Sequence, residues 1–429
     1  MQQEDPFDIK NKLMATMKKG NKEILFELRE EFQKYNNILN QRINNLFANK
    51  LLDEELIEKI EEYYEMIKIK PEISDEDILY IKEIISNNIG RQISLERDIN
   101  NNLKLMLDNT EFIEKERGEL SLSTGEQNFI SLTFELLKAK NNDKPIIVID
   151  DPISSFDSIY KNKIVYSIIK FLENKNQIIL THNTDLIRLL EVQKERCFNL
   201  YLLNNIEGQE NGFIEVTENE RKIMIFIPDL LDFIRNNIDR FIRQEREYLF
   251  SLIPFMRGYA KLIGNTEIKN NLTKLMHGYC TEKVNITEIY NKLFNKSVQH
   301  VYEVSVDEIL ATDIDNIDIL NNYYPMLNKT LKHSLVYLFL RLLVEKKLVD
   351  KYCINTKKYD NLGSIILQAY KGNEQSNVIK RVFLISKKTL LNEFNHFEGN
   401  MNIFQPAIDI SDYTLEQEKK DIIEFINKE

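Results

Sequence analysis

Three short stretches of this chain carry residues whose types and spacing suit phosphate chemistry. In "LSTGEQ", Leu122 to Gln127, a serine and a glycine stand at what reads as a helix start. There the unpaired backbone N–H groups and the positive end of the helix dipole attract an anion. Ser123 can donate to a phosphate oxygen, Gly125 allows close approach, and Glu126 and Gln127 complete the turn. In "PIIVIDDPISSFD", Pro145 to Asp157, an apolar run ends in two carboxylates. Asp150 suits a Mg²⁺ ligand at a strand end, Asp151 suits orienting or deprotonating a water, and Asp157 closes the turn. "IILTHN", Ile178 to Asn183, ends a second apolar run in His182, whose imidazole could reach the same phosphate. Taken singly, these are a cap, a solvated turn and a strand end. Three in this order within about 60 residues suggest one triphosphate site.

These residues need elements to position them. "IIVI" (146–149), "QIILT" (177–181) and "FNLYLL" (198–203) are short apolar runs separated by helical patterns, the signature of buried parallel strands. Residues 118–220 therefore read as an α/β lobe, and ligands in open α/β sheets collect at the carboxyl ends of the strands. Upstream, residues 1–117 read as a coiled-coil-like helical arm. Leu25, Leu28, Phe32, Tyr35, Leu39, Ile43 and Leu46 step by three and four; a second helix spans Leu51 to Ile69 before Pro71; a third follows Ser74; a fourth fills Gln92 to Arg117. Downstream, residues 221–429 return to helical periodicity and form a mostly α-helical domain.

The ordered set resembles the ABC-type ATPases, within the wider AAA-type group. "LSTGEQ" looks like their signature motif, "IIVIDD" like the Walker B strand, "SSFD" like the D-loop and His182 like the switch histidine. The resemblance implies the carboxyl-terminal lobe of such a head, with ATP and Mg²⁺ as cofactors. The "DDP" form, with Asp151 where many relatives carry glutamate, is similar to bacterial defence ATPases of the PrrC and RloC anticodon-nuclease type. One part of the family's machinery is missing from the sequence: none of the 12 glycines is followed by lysine, so there is no G-x-x-x-x-G-K-[ST] loop to wrap a β-phosphate. Members resembling the SMC and Rad-type proteins split the head around a helical insertion. The expectation is that this chain starts inside such an insertion, and that a Walker A-bearing lobe or second head completes the site in an oligomer.

In the carboxyl-terminal domain, the same resemblance implies a metal-independent ribonuclease marked by Arg-x-x-x-Glu and a later histidine, with tRNA as substrate. "RLLVE" supplies Arg341 and Glu345 on one helical face, and His396 follows. A carboxylate and an imidazole can shuttle protons at a ribose 2′-hydroxyl while a guanidinium steadies phosphorane charge. Arg243 and Glu247 repeat the spacing, with His277 downstream; His300 and His333 read as surface or packing residues; Lys380-Arg381 and Lys387-Lys388 are candidate phosphate contacts. The competing functions are a non-catalytic scaffold that completes a partner's ATP site, and a DNA-repair-type ATPase.

The bulk composition narrows these further. A formal net charge of −11 argues against a broad nucleic-acid-coating surface and confines any such contact to local clusters. Three separated cysteines suggest neither a disulfide framework nor a zinc site. A polar, acidic amino terminus and the lack of a span-length apolar run point to a cytoplasmic protein without membrane contact.

Overall fold

The apolar run Ile146–Asp150 forms strand β4 and Asn176–Leu180 forms β5, paired in parallel from Ile146↔Asn176 to Asp150↔Leu180. A computed structural model describes residues 122–204, 212–395 and 402–429. Before these it describes only the short strands β1 (Ile93–Arg97), β2 (Leu103–Leu107) and β3 (Thr110–Glu111) and a few isolated helical positions. The chain divides into two compact units, one of residues 1–83 and 91–118, the other of residues 84–90 and 119–429.

In the first unit, Lys34, Asn37, Ile38 and Gln41 are helical, as are Ile78, Leu79 and Lys82. The apolar seam expected from Leu25 to Leu46 and the helix expected from Leu51 to Ile69 lie outside the described residues. The helix expected from Gln92 to Arg117 is not formed. Instead β1, β2 and β3 make an antiparallel sheet in that order. The reason is in the spacing: Ile93 and Leu95, then Leu103, Leu105 and Leu107, alternate with period two on either side of an Asn-rich stretch of sequence, which is strand rather than helix periodicity.

In the second unit, β4 and β5 lie against helices α1 (Thr124–Asn141), α2 (Ser158–Phe171) and α3 (Thr184–Gln193). Phe129, Ile130, Leu136 and Leu137 of α1, Ile164, Val165 and Ile168 of α2, and Leu186 and Leu189 of α3 are buried. Only one face of the pair is covered. Ile146, Val148, Ile178 and Leu180 point the other way and are 52, 62, 50 and 42% exposed, so the expectation of fully buried strands fails. The third expected parallel strand also differs. β6 (Leu200–Asn204) pairs antiparallel with β7 (Gly212–Val216) in a separate sheet. The seven-residue connection, 205–211, is too short for the crossover a parallel neighbour needs.

Helix α4 (Glu218–Ile225) joins the lobe to the helical domain. Its Arg221 is buried against Glu191 of α3 at 3.1 Å and donates to Phe198 O at 2.9 Å. The domain that follows is built on a 28-residue helix that is apolar nearly all round its middle, which is the pattern of a helix at the centre of a core. In chain order its helices are α5 (Ile227–Asn236), α6 (Glu245–Ser251), α7 (Ile253–Leu262), α8 (Thr266–Lys274), α9 (Ile286–Phe294), α10 (Val306–Leu310), the central α11 (Pro325–Tyr352), α12 (Leu362–Ala369), α13 (Gln375–Ser386), α14 (Gln405–Asp409) and α15 (Asp412–Lys428). Glu220 of α4 is wholly buried and accepts from Leu327 N at 2.9 Å, so it caps the start of α11. Burial pushes its carboxyl up to about 7, opposed by the backbone N–H groups of Leu327 and Met326. No helix among the described residues is long and apolar enough to cross a membrane.

Candidate functional site

The parallel register sets Asp150 beside Leu180, so the two residues following β5 come level with the two carboxylates. Asp151 turns the chain with φ of 43°, the left-handed region that costs an L residue about 1–2 kcal/mol. Three bonds hold it there. Its N–H donates to Leu180 O at 2.7 Å, Thr181 Oγ1 donates to its Oδ1 at 3.1 Å, and His182 Nδ1 lies 3.3 Å from its Oδ2. Thr181 Oγ1 in turn accepts from Asn183 N at 3.0 Å, and Asn183 caps α3 through Asp185 N at 2.9 Å. Strain kept by several partners at a strand end is typical of a functional position.

The Asp150 side chain makes no hydrogen bond or ion pair among the described residues, and the residue is exposed. Its free carboxylate oxygens, with Asp151 next to it, fit a Mg²⁺ ion, which takes one or two carboxylates and fills its remaining positions with water and phosphate. No cluster of three His, Cys, Asp or Glu side chains able to hold a metal alone occurs among the described residues.

The signature-like residues form a second set. Ser123 caps α1 in a capping box: its N–H and Oγ donate to Glu126 Oε2 at 2.6 and 2.8 Å, and Glu126 N donates back to Ser123 Oγ at 3.3 Å. Gln127 Nε2 donates to Leu122 O at 3.1 Å. Asp157 precedes α2 without a side-chain cap bond. Tyr160 links the two turns: a Cβ on Gly125 would sit 3.6 Å from its ring, and burial, then Glu126 and Asp157, raise its hydroxyl pKa. The structure thus gathers the expected phosphate-site residues in two sets, one at the strand ends and one at the helix starts.

The helical domain makes a third cluster, which includes the expected Arg341 and Glu345. Arg341 Nη2 pairs with Glu345 Oε1 at 2.7 Å, both nearly inaccessible, and Arg341 Nη1 also donates to Asn392 Oδ1. Among the described residues, His277 lies beside Glu345, with Nδ1 3.4 Å from Oε2; His396 lies outside the described residues. Gly278 explains the approach: an added Cβ would fall 2.2 Å from Leu342 O, so only glycine lets this turn lie on α11 and donate its N–H to Glu345 Oε2 at 3.0 Å. Arg257 stands close by, its pKa lowered by burial and by the neighbouring Arg341 guanidinium, and donates to Thr273 Oγ1 at 2.7 Å. Arg243 pairs with Asp318 rather than with Glu247. His300 is exposed and lies 3.3 Å from Glu245, whereas His333 is buried with Asp412 at 2.6 Å. Lys380 pairs with Glu429 and Lys387 with Glu418, and Arg381 donates to the carbonyls of Tyr370 and Gly372.

Thr181, Tyr160, Arg257 and the pairing of His277 with Glu345 were not read from sequence. Thr181 had a signal, since it adjoins His182; Arg257 had none.

The family model described as "AAA domain" matches residues 8–310. The chain belongs to the AAA domain family. That membership gives it an ATPase-type, nucleotide-binding character, which in this family is usually Mg²⁺-dependent. The match continues past the α/β lobe through helices α4 to α10, where sequence alone suggested a separate domain from residue 221. No curated protein matches the chain.

Proposed function

We propose that this AAA-domain chain supplies the signature and metal-site half of an ATP site, and that nucleotide state at that half governs the helical domain. The observation that carries the reading is the grouping of Asp151, Thr181 and His182 beside the free carboxylate of Asp150 at the ends of parallel strands. In this reading Asp150 holds Mg²⁺, which would neutralise charge on the β- and γ-phosphates. Asp151 orients the attacking water and accepts its proton, while Thr181 and His182 fix that carboxylate and His182 offers a donor to the γ-phosphate. Ser123, Gly125 and Gln127 address a phosphate held by another lobe, and Asp157 borders that contact. For Ser123 to do so, Glu126 must release its hydroxyl.

The phosphate-wrapping loop then comes from a Walker A-bearing lobe or second head. The bare apolar face of β4 and β5 supports such a cover, because parallel sheets are ordinarily covered on both sides. The reading is tested by MgATP hydrolysis in the complex the chain forms in its own cells. Asp150→Asn and Asp151→Asn should each lower turnover at least 100-fold; undiminished turnover in both would reject it.

A second reading concerns the helical domain: RNA cleavage in bacterial anti-phage defence, by anticodon-type attack of a ribose 2′-hydroxyl. The observation favouring it is the approach of His277 and Arg341 to one buried carboxylate, Glu345, with the Arg257 guanidinium near that of Arg341. His277 then takes the proton-shuttling role first given to His396. Cleaved tRNA in cells expressing the wild type but not His277→Ala, with His396→Ala still active, is the expected result. Cleavage that persists in His277→Ala would return the role to His396. No RNA cleavage under any nucleotide condition would leave the scaffold reading.

A further inference from the structure

The segment Asn402–Gln405 faces two ways. Ile403 and Phe404 are buried in the helical-domain core, while the flanking Asn402 and Gln405 reach back across more than 200 residues of sequence to the loop that carries His182. Gln405 Nε2 donates to His182 O at 2.7 Å and to Asp409 Oδ1 at 2.7 Å. Thr184 Oγ1 donates to Gln405 Oε1 at 3.3 Å and accepts from Asn402 Nδ2 at 2.6 Å. The proton count closes: two amide protons meet two acceptors, and one hydroxyl gives once and receives once.

On its far side the same segment is tied to the central helix. Pro406 and Ala407 are buried where α14 packs on α11, and Tyr337 OH lies 3.4 Å from Pro406 O. Tyr337 also meets His333 Nδ1 at 3.3 Å, and His333 Nε2 meets Asp412 Oδ1 at 2.6 Å, at the start of α15. One helical turn beyond Tyr337, about 6 Å along α11, stand Arg341 and then Glu345. A 420 Å³ cavity borders the junction, walled by Asn183, Arg188, Met224, Leu230 and Phe404 beside Gln405, and gives the loop room to move.

We propose that Gln405, assisted by Asn402, is a positioning residue: a latch that sets the His182 loop and transmits its displacement to α14 and α11. The inference rests on the reading of His182 as a nucleotide-facing residue. In this proposal the junction takes two arrangements: the one shown, with the latch bonds made, and one with them broken. Breaking them frees the loop from the helix that carries Arg341 and Glu345.

The test is hydrogen–deuterium exchange on the full chain without nucleotide, so that its failure is separate from a failure of ATP turnover. Gln405→Ala should speed exchange at the amides of residues 182–186 roughly ten-fold, the effect of about two lost hydrogen bonds. Thr184→Val, which keeps the side-chain shape, should do the same and guards against a Gln405→Ala that fails to fold. His182→Gly, which loosens the loop from the head side, should speed exchange over residues 405–409 in the wild type but add nothing in the Gln405→Ala background. Such non-additivity is a result that mere local packing would not give. Unchanged exchange at 182–186 in both latch variants, or additive effects in the double variant, would overturn the latch.

Discussion

Replacing Glu220 by glutamine should stabilise the protein above neutral pH and leave it unchanged in acid. Glu220 is buried under the first turn of α11, and its carboxyl is pushed up to about 7 from an ordinary 4.5. The folded chain therefore holds this proton more tightly than the unfolded chain does. The stabilisation is complete below pH 4.5, falls as the unfolded chain ionises alone, and is gone once pH passes about 7. A difference of about 2.5 units at 1.36 kcal/mol each corresponds to about 3 kcal/mol. Glutamine keeps an oxygen for Leu327 N and carries no charge at any pH, so above pH 7 it should recover most of that amount. For a unit of this size this is about 4–5 °C in Tm. Thermal unfolding of wild type and Glu220→Gln at pH 5 and pH 8 measures it. The same Tm difference at both pH values, or a variant less stable at pH 8, would show that the burial argument is wrong.

Other outcomes follow from the same geometry. Asp151→Gly relieves the left-handed backbone but gives up the Thr181 and His182 bonds, so stability should change by less than about 1 kcal/mol while ATP turnover in the complex is abolished; a loss above about 2 kcal/mol would mean that those bonds outweigh the strain. Glu191→Ala leaves Arg221 charged and buried and should cost about 3–5 kcal/mol in urea unfolding, whereas a change under 1 kcal/mol would mean that the pair is hydrated. Gly278→Ala, forced against Leu342 O, should cost about 1–3 kcal/mol; an unaffected midpoint would show that the turn can shift off α11.

The parts of the site that were legible in sequence were local ones. Ser123 before an apolar helix, the carboxylates after "IIVI" and the histidine after "IIL" each sit where a strand or helix ends, and ends are written in a few adjacent residues. The parallel pairing followed because a helix-length connection separates β4 from β5, whereas the short link after β6 allowed only a hairpin. Residues 92–117 are ambiguous in sequence because short apolar runs of leucine and isoleucine suit either period, and only the alternation after Leu103 marks the strand. What pairs at long range was not legible. Arg-x-x-x-Glu announces an ion pair, but that His277 meets Glu345 depends on a glycine turn lying on α11. Gln405 offers no sequence signal for its bond to a loop more than 200 residues away.

The account stands most directly on ATP turnover by the chain recovered with its natural partners. Hydrolysis is expected only in that complex, and it should be lost both in Asp151→Asn, at the strand ends, and in Ser123→Arg, which blocks the helix start. Full turnover by the isolated chain, or by a complex carrying both substitutions, would contradict it.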